Sequence, residues 1–211
     1  MKQNFLLLAC AVCTLCCVYT CTGCRNESAT DASAEVSAQQ LLQLAQDKLD
    51  AKQYEEAIEL FTKLAKRRPT ATKHALIGDC YWKQQKLEQA DVHYHQALAL
   101  DPKHCGANHA LGRDAVLLKK YQDSLQYLNT ASEICAGTVL QAQNLRFRVE
   151  ALLQLDRIDE AQTDLQKLAT EFPESINTYE AGLLVATKKG DLSLAADYEE
   201  KLKAMLNAEH K

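Results

Sequence analysis

Apolar residues return along this chain at the three- and four-residue intervals of amphipathic helices, and the pattern breaks and restarts at a nearly constant distance. Small residues mark the register: Ala57, Ala90, Ser124, Ala161 and Ala195 lie 33, 34, 37 and 34 residues apart. A period of that length predicts a series of helical hairpins. The prolines obey the same frame, since Pro69, Pro102 and Pro173 each stand twelve residues after a small residue of the series. A proline there closes the second helix of one hairpin before the next begins. The fold class expected is all-α.

Aligned in this register, the second unit reads His74, Ile77, Gly78, Tyr81, Ala90, Tyr94, Ala97 and Pro102. Leu41, Leu44, Ala45, Ala57, Phe61 and Pro69 repeat it upstream. Leu111, Gly112, Ser124, Leu128 and Ala131 follow without the proline, then Leu145, Val149, Leu152, Ala161, Leu165 and Pro173. Tyr179, Gly182, Ala186, Ala195 and Tyr198 form a fifth copy, expected to cap the array. This order of large, small and closing residues resembles the tetratricopeptide repeat. The resemblance implies a right-handed superhelical solenoid of about five hairpins, with units at about 38–70, 71–104, 105–138, 142–175 and 176–207 and a short tail at 208–211. One hairpin cannot hide its apolar face, so stacked neighbours must share a continuous core. Three extra residues near Gly137 to Leu140, with the missing proline, predict a longer turn or a first helix extended at its N-terminal end.

Composition supports helix: 47% of the 211 residues are hydrophobic, and only seven Gly and three Pro occur. A net charge of −4 supplies no general field for phosphate backbones, which argues against nucleic acid as a partner. The chain has no Gly-rich phosphate loop, nucleophile elbow or His-Glu metalloprotease motif, so the expectation is no enzyme, no catalytic residue, no metal and no cofactor.

The N-terminus reads differently. Lys2 precedes an uncharged stretch from Phe5 to about Thr22, the layout of an export signal. Cys21-Thr22-Gly23-Cys24 resembles the lipobox of bacterial lipoproteins, which implies a signal peptide at 1–23 and lipidation of Cys24, with Cys21 standing where that family usually has Leu. The competing reading is an uncleaved membrane-spanning helix of the same residues. Either one places the following chain outside the cytoplasm, in the periplasm-facing envelope and an oxidising compartment. Residues 24–37 are small and polar and are expected to act as a flexible tether. In that compartment Cys105 and Cys135, at the two ends of the third hairpin, are candidates for a disulfide, with free buried thiols as the alternative. Cys80 reads as a small core residue.

The tetratricopeptide resemblance also implies where a partner sits: in the concave groove lined by the first helix of each hairpin. The positions exposed there include Asp79, Trp82 and Lys83 in the second unit, His109 and Arg113 in the third, and Arg146 and Glu150 in the fourth. Trp82 with Arg113 and Arg146 is expected to form an aromatic and cationic centre for a protein or peptide. Against this stand plainer roles: Trp82 as cover for the seam between repeats, and Arg146 with Glu150 as an exposed i,i+4 ion pair. His104, Cys105 and His109 gather near one helix start and raise a metal-carrier alternative, while Lys66, Arg67 and Arg68 form a basic turn. The function expected is a membrane-tethered adaptor or assembly factor of the bacterial envelope. A self-associating structural lipoprotein and a metal or thiol carrier are the alternatives.

Overall fold

The computed structural model describes the backbone of residues 27–209, and the side chains of residues 38–208 apart from Val139. Residues 1–23, read above as a signal segment, and Cys24, read as the lipidation site, lie outside the described residues. Among the described residues there are ten helices and no strand: α1 Glu27–Asp50, α2 Tyr54–Arg67, α3 Ala71–Lys83, α4 Leu87–Leu100, α5 Cys105–Leu117, α6 Tyr121–Ile134, α7 Val139–Gln154, α8 Ile158–Glu171, α9 Ile176–Lys189 and α10 Leu192–Glu209. No described helix is long and apolar enough to cross a membrane. The chain divides into two compact units, one ending at Leu44 and one beginning at Ala45. In the first, α1 already runs from Glu27, so residues 27–37 are helical where a flexible tether was expected. Their Ala and Glu content, with no Gly or Pro, permits this.

In the second unit α3 pairs with α4, α5 with α6, α7 with α8 and α9 with α10. In three of these pairs a glycine on the first helix meets a large residue on the second, while α7 carries the buried Val149 at the equivalent position. A Cβ on Gly78 would lie 2.6 Å from the Tyr94 ring, and one on Gly112 would lie 2.6 Å from Leu128. Gly182 meets Tyr198 in the same way. Ser124 keeps the small position of its hairpin because its hydroxyl donates to the Gly112 carbonyl, 2.8 Å away and buried. The core is accordingly a chain of local clusters. One joins Ala90 and Tyr94 to Ala110 and Leu111, and a larger one runs from Val116 and Leu128 through Val149 and Leu152 to Val185.

The turns inside the hairpins share a backbone device. Lys52, Gln85, Lys119 and Asp156 adopt φ of 59°, 62°, 59° and 57°, and Gly190 adopts 76°. Each stands five residues before the small residue of its hairpin. Four of the five turns therefore hold a side chain in the left-handed region that glycine occupies without cost.

The connections between hairpins divide into two kinds. Arg68, Asp101 and Phe172, each followed by proline, close their helices with φ of −149°, −146° and −136°. Arg68 and Asp101, with ψ of 94° and 97°, adopt the extended backbone a following proline favours, whereas Phe172 stops short of it at ψ 55°. Cys135 precedes Ala136 instead, with φ −92° and ψ 11°. Here Cys105 and Cys135 are joined by a disulfide, with their Cα atoms 5.5 Å apart. The extra residues after it lengthen α7 at its N-terminal end, to 16 residues against 13 for α3 and α5. Gly137 turns the chain at φ 75°, and its N–H donates to Gln141 Oε1 at 2.6 Å.

Candidate functional site

The first helices α3, α5, α7 and α9 pack side by side in that order, and the side chains singled out by the sequence lie along them. Trp82, half-buried near the end of α3, receives the guanidinium of Arg113 from α5, with Cζ 3.8 Å from the ring centroid. Lys83 Nζ lies 5.4 Å from the same centroid. A guanidinium stacked on an indole retains its in-plane donors for other partners. Arg113 Nε donates to Asp114 Oδ1 at 2.8 Å, so its charge is largely balanced on its own helix. Arg113 Nη2 and Trp82 Nε1 are buried without a well-formed hydrogen bond, although the indole N–H lies near enough to Asp114 to favour the ionised carboxylate.

A second aromatic and guanidinium pair lies further along. Arg146 on α7 places Cζ 4.1 Å from the Phe147 ring centroid. Its Nη1 donates to Glu150 Oε2 at 2.8 Å, and its Nε reaches Glu180 Oε2 on α9 at 3.0 Å. The ion pair foreseen within α7 is present and extends to the next hairpin. Of the two arginines expected beside Trp82, Arg113 lies on its ring, whereas Arg146 stacks on Phe147. Each is stacked on an aromatic ring and matched by acids.

Two further candidates face inward. Asp79 accepts a hydrogen bond from Tyr94 Oη at 2.8 Å, within its own hairpin. Burial raises its pKa, against the opposing effects of the Tyr94 hydroxyl, Arg113 and Lys83. His109, expected in the groove, is 6% exposed. Its Nδ1 lies 2.6 Å from Asn144 Oδ1, which fixes the neutral tautomer with the proton on Nδ1 donating. Burial, aided by Arg113 and opposed by the Asn144 hydrogen bond, lowers its pKa to about 4. The contact ties the third hairpin to the fourth beside Phe147, whose ring centroid is 6.0 Å away.

Asn144, Phe147, Asp114 and Glu180 belong to this face and were not singled out from the sequence. Asn144 is fully buried beside the apolar Leu145, Val149 and Leu152, a placement that only the structure shows.

Elsewhere, His104 caps α5 by accepting from the Ala107 N–H at 3.1 Å, while Cys105 is in the disulfide and His109 is held by Asn144. These three do not converge, and among the described residues no group of three or more His, Cys, Asp or Glu is placed to hold a metal ion. In the basic turn, Lys73 donates to the carbonyls of Arg68 and Leu64. Cys80 is fully buried, and burial followed by Asp79 raises its pKa to about 12, so its thiol stays protonated and inert.

Three segments match models of the tetratricopeptide repeat: residues 71–104, and residues 41–71 and 149–175 with a second model. Solved structures of such proteins share the fold. PilW, a type IV pilus biogenesis factor, superposes with a TM-score of 0.70 at 16% identity, covering 81% of this chain and 78% of its own. PilF of Pseudomonas aeruginosa gives 0.69 at 18%, covering 81% and 77%. The chain is a tetratricopeptide repeat protein. YrrB, a tetratricopeptide protein with an unusual peptide-binding site, gives 0.62 at 18%, covering 82% of this chain and 89% of its own. No curated protein matches the sequence. As a tetratricopeptide repeat protein, the chain belongs to a family of generally non-catalytic scaffolds that bind protein or peptide partners.

Proposed function

We propose that this tetratricopeptide repeat protein is a non-enzymatic adaptor or assembly factor of the bacterial envelope, tethered through a lipid on Cys24, that holds a partner protein segment on the face of its first helices. The observation that carries the binding face is the alignment of Trp82 with Arg113 and of Phe147 with Arg146. Partly buried aromatic and arginine side chains held in place by their neighbours are the composition of binding hot spots. Their order before binding reduces the entropy lost on association.

The disulfide between Cys105 and Cys135 supports the exported location, because such bonds persist in oxidising compartments and are rare in the bacterial cytosol. The lipobox-like Cys21 to Cys24 supplies the tether, and acyl chains hold a protein to a bilayer by about 0.8 kcal/mol per buried methylene.

The test has two arms. Full-length protein captured from its native envelope recovers a partner, and the double variant Trp82→Ala/Arg113→Ala loses that partner while keeping its helical circular dichroism. Retention of the partner by the folded double variant excludes the face. Cys24→Ser abolishes fatty-acid labelling and releases the protein from the membrane fraction; unchanged membrane association would rule out the lipid tether.

A further inference from the structure

We infer that the basic turn Lys66-Arg67-Arg68 at the end of α2 docks on the phosphate headgroups of an anionic bilayer, as a second contact beside the lipid on Cys24. This rests on the lipid-tether reading and adds to it the part of the repeat unit that meets the membrane.

The fold does not require three bases at this place. At the same three positions the later hairpins carry Ala99-Leu100-Asp101, Glu133-Ile134-Cys135 and Thr170-Glu171-Phe172, and the last turns of α4, α6 and α8 hold no basic residue. A base at a helix C-terminus ordinarily serves the orphan carbonyls and the macrodipole. Here Lys73, reaching back from α3, already donates to the Leu64 and Arg68 carbonyls. Burial and then the Arg68 guanidinium lower the Lys73 pKa, the mark of one cation held close to another. Lys66, Arg67 and Arg68 are all exposed, and among the described residues none of them pairs with an acid, whereas Lys63 one turn back is held by Glu59 at 2.7 Å. Three adjacent charges are left for something outside the chain.

Three free bases in a row select an anionic partner, and the course of the chain selects a membrane. The repeat unit begins at Ala45, from which the chain runs to the turn at Lys52 and returns along α2 to Arg67. It therefore enters from the side on which α2 ends. Cys24 precedes Ala45 by 21 residues, a tether short enough to keep that side near the bilayer that carries the lipid. Held there, the basic turn meets headgroups at a high local concentration, and an acyl anchor with a basic cluster is a pair of signals that makes membrane attachment stable. An arginine fork also matches phosphate oxygens two at a time. The later connections on the same edge carry Glu133, Glu171 and Glu174, whose sign is wrong for an anionic surface, so the contact is confined to the first hairpin.

The test is lysine footprinting of the lipid-modified full-length protein on vesicles, with an uncharged amine-acylating reagent and the modified sites mapped by mass spectrometry. Lys119 and Lys120, exposed in the turn inside the third hairpin, serve as internal controls. On vesicles of phosphatidylcholine with about 30% phosphatidylglycerol, Lys66 reacts at least about three-fold more slowly than on phosphatidylcholine alone, and about 500 mM salt removes the protection. Lys119 and Lys120 react alike on both. Arg67→Gln/Arg68→Gln, which keeps Lys66 as the reporter, loses most of the protection. Equal Lys66 reactivity on the two vesicles, equal protection of all three lysines, or full protection in the double variant overturns the inference. Stronger protection by a soluble poly-glutamate peptide also overturns it, and assigns the turn to an acidic protein. Flotation of the same samples keeps the two levels apart. Protein that floats with both vesicle types and leaves Lys66 unprotected retains the lipid tether and removes the basic contact, whereas protein that floats with neither removes both.

Discussion

Hairpins 71–104 and 105–138 are built to the same measure, with first helices of 13 residues and second helices of 14. Each packs a glycine of its first helix under a large side chain of its second, Gly78 under Tyr94 and Gly112 under Leu128. They part company at the exit. The first closes on Asp101-Pro102, where the proline holds the preceding residue extended. The second has Ala136 at the equivalent place and a disulfide from Cys135 back to Cys105. One closure restricts a single backbone angle, whereas the other restricts a loop of thirty residues. The local closure works under any redox condition; the covalent one makes the third hairpin answerable to its compartment.

That contrast is broken most strongly at the disulfide. Reduction, or Cys105→Ser, removes a constraint on a thirty-residue loop and costs about 3–4 kcal/mol. Thermal unfolding with and without reductant reads this as a fall in Tm, and hydrogen exchange assigns it to α5 and α6. An unchanged Tm would mean the bond adds nothing to the hairpin.

Next comes pH. His109 is neutral in the folded protein down to about pH 4, while in the unfolded chain it takes up a proton below 6.5. The unfolded state binds more protons in that window, so stability falls as pH drops from 6.5 to about 4, by at most about 3 kcal/mol. Asp79, Asp114 and Asp164 act in the opposite sense, because burial raises their pKa values and the folded state then takes up protons first. The His109→Gln variant isolates the first effect: compared with it, the natural protein loses more stability on acidification, as measured by urea unfolding across the window. Equal slopes would show that the His109 contact with Asn144 does not govern protonation.

Gly78→Ala places a Cβ 2.6 Å from the Tyr94 ring, which cannot swing away because it is fully buried and its hydroxyl is held by Asp79. The expected cost is about 1–3 kcal/mol in denaturant unfolding, in spite of alanine's better helix propensity. Pro102→Ala costs less, about 0.4–1 kcal/mol, since it only widens the unfolded ensemble. Lys119→Gly is expected to stabilise by about 0.5–1 kcal/mol, because Lys119 stands at φ 59° where glycine is unstrained. The ratio of the disulfide effect to the Pro102 effect measures directly how differently the two hairpins are closed.

Much of the fold was readable in sequence because a repeat writes the same packing requirement several times. Ala57, Ala90, Ser124, Ala161 and Ala195 mark where helices must approach closely, and Pro69, Pro102 and Pro173 mark where they must stop. The left-handed turn position was hidden because Lys52, Gln85, Lys119 and Asp156 are ordinary polar residues of three types and none is glycine, and only Gly190 shows the backbone requirement openly. At the candidate site, Trp82 beside Arg113 was legible from the helical register. The fate of His109 was not, since it depends on an amide 35 residues away in the next hairpin. Likewise Arg146 is neutralised in part by Glu180, whose reach across to α7 no local pattern records.

The central claim is that a partner lies on the face of the first helices and not on the back of the array. A photo-crosslinking amino acid placed at position 82 in the full-length protein, and separately at position 92 on α4, tests it in the native envelope; Val92 is 54% exposed and stands on a second helix. Ultraviolet irradiation is expected to give a discrete higher-mass adduct to another protein from position 82 and none from position 92. An adduct from position 92 with none from position 82 would contradict the account.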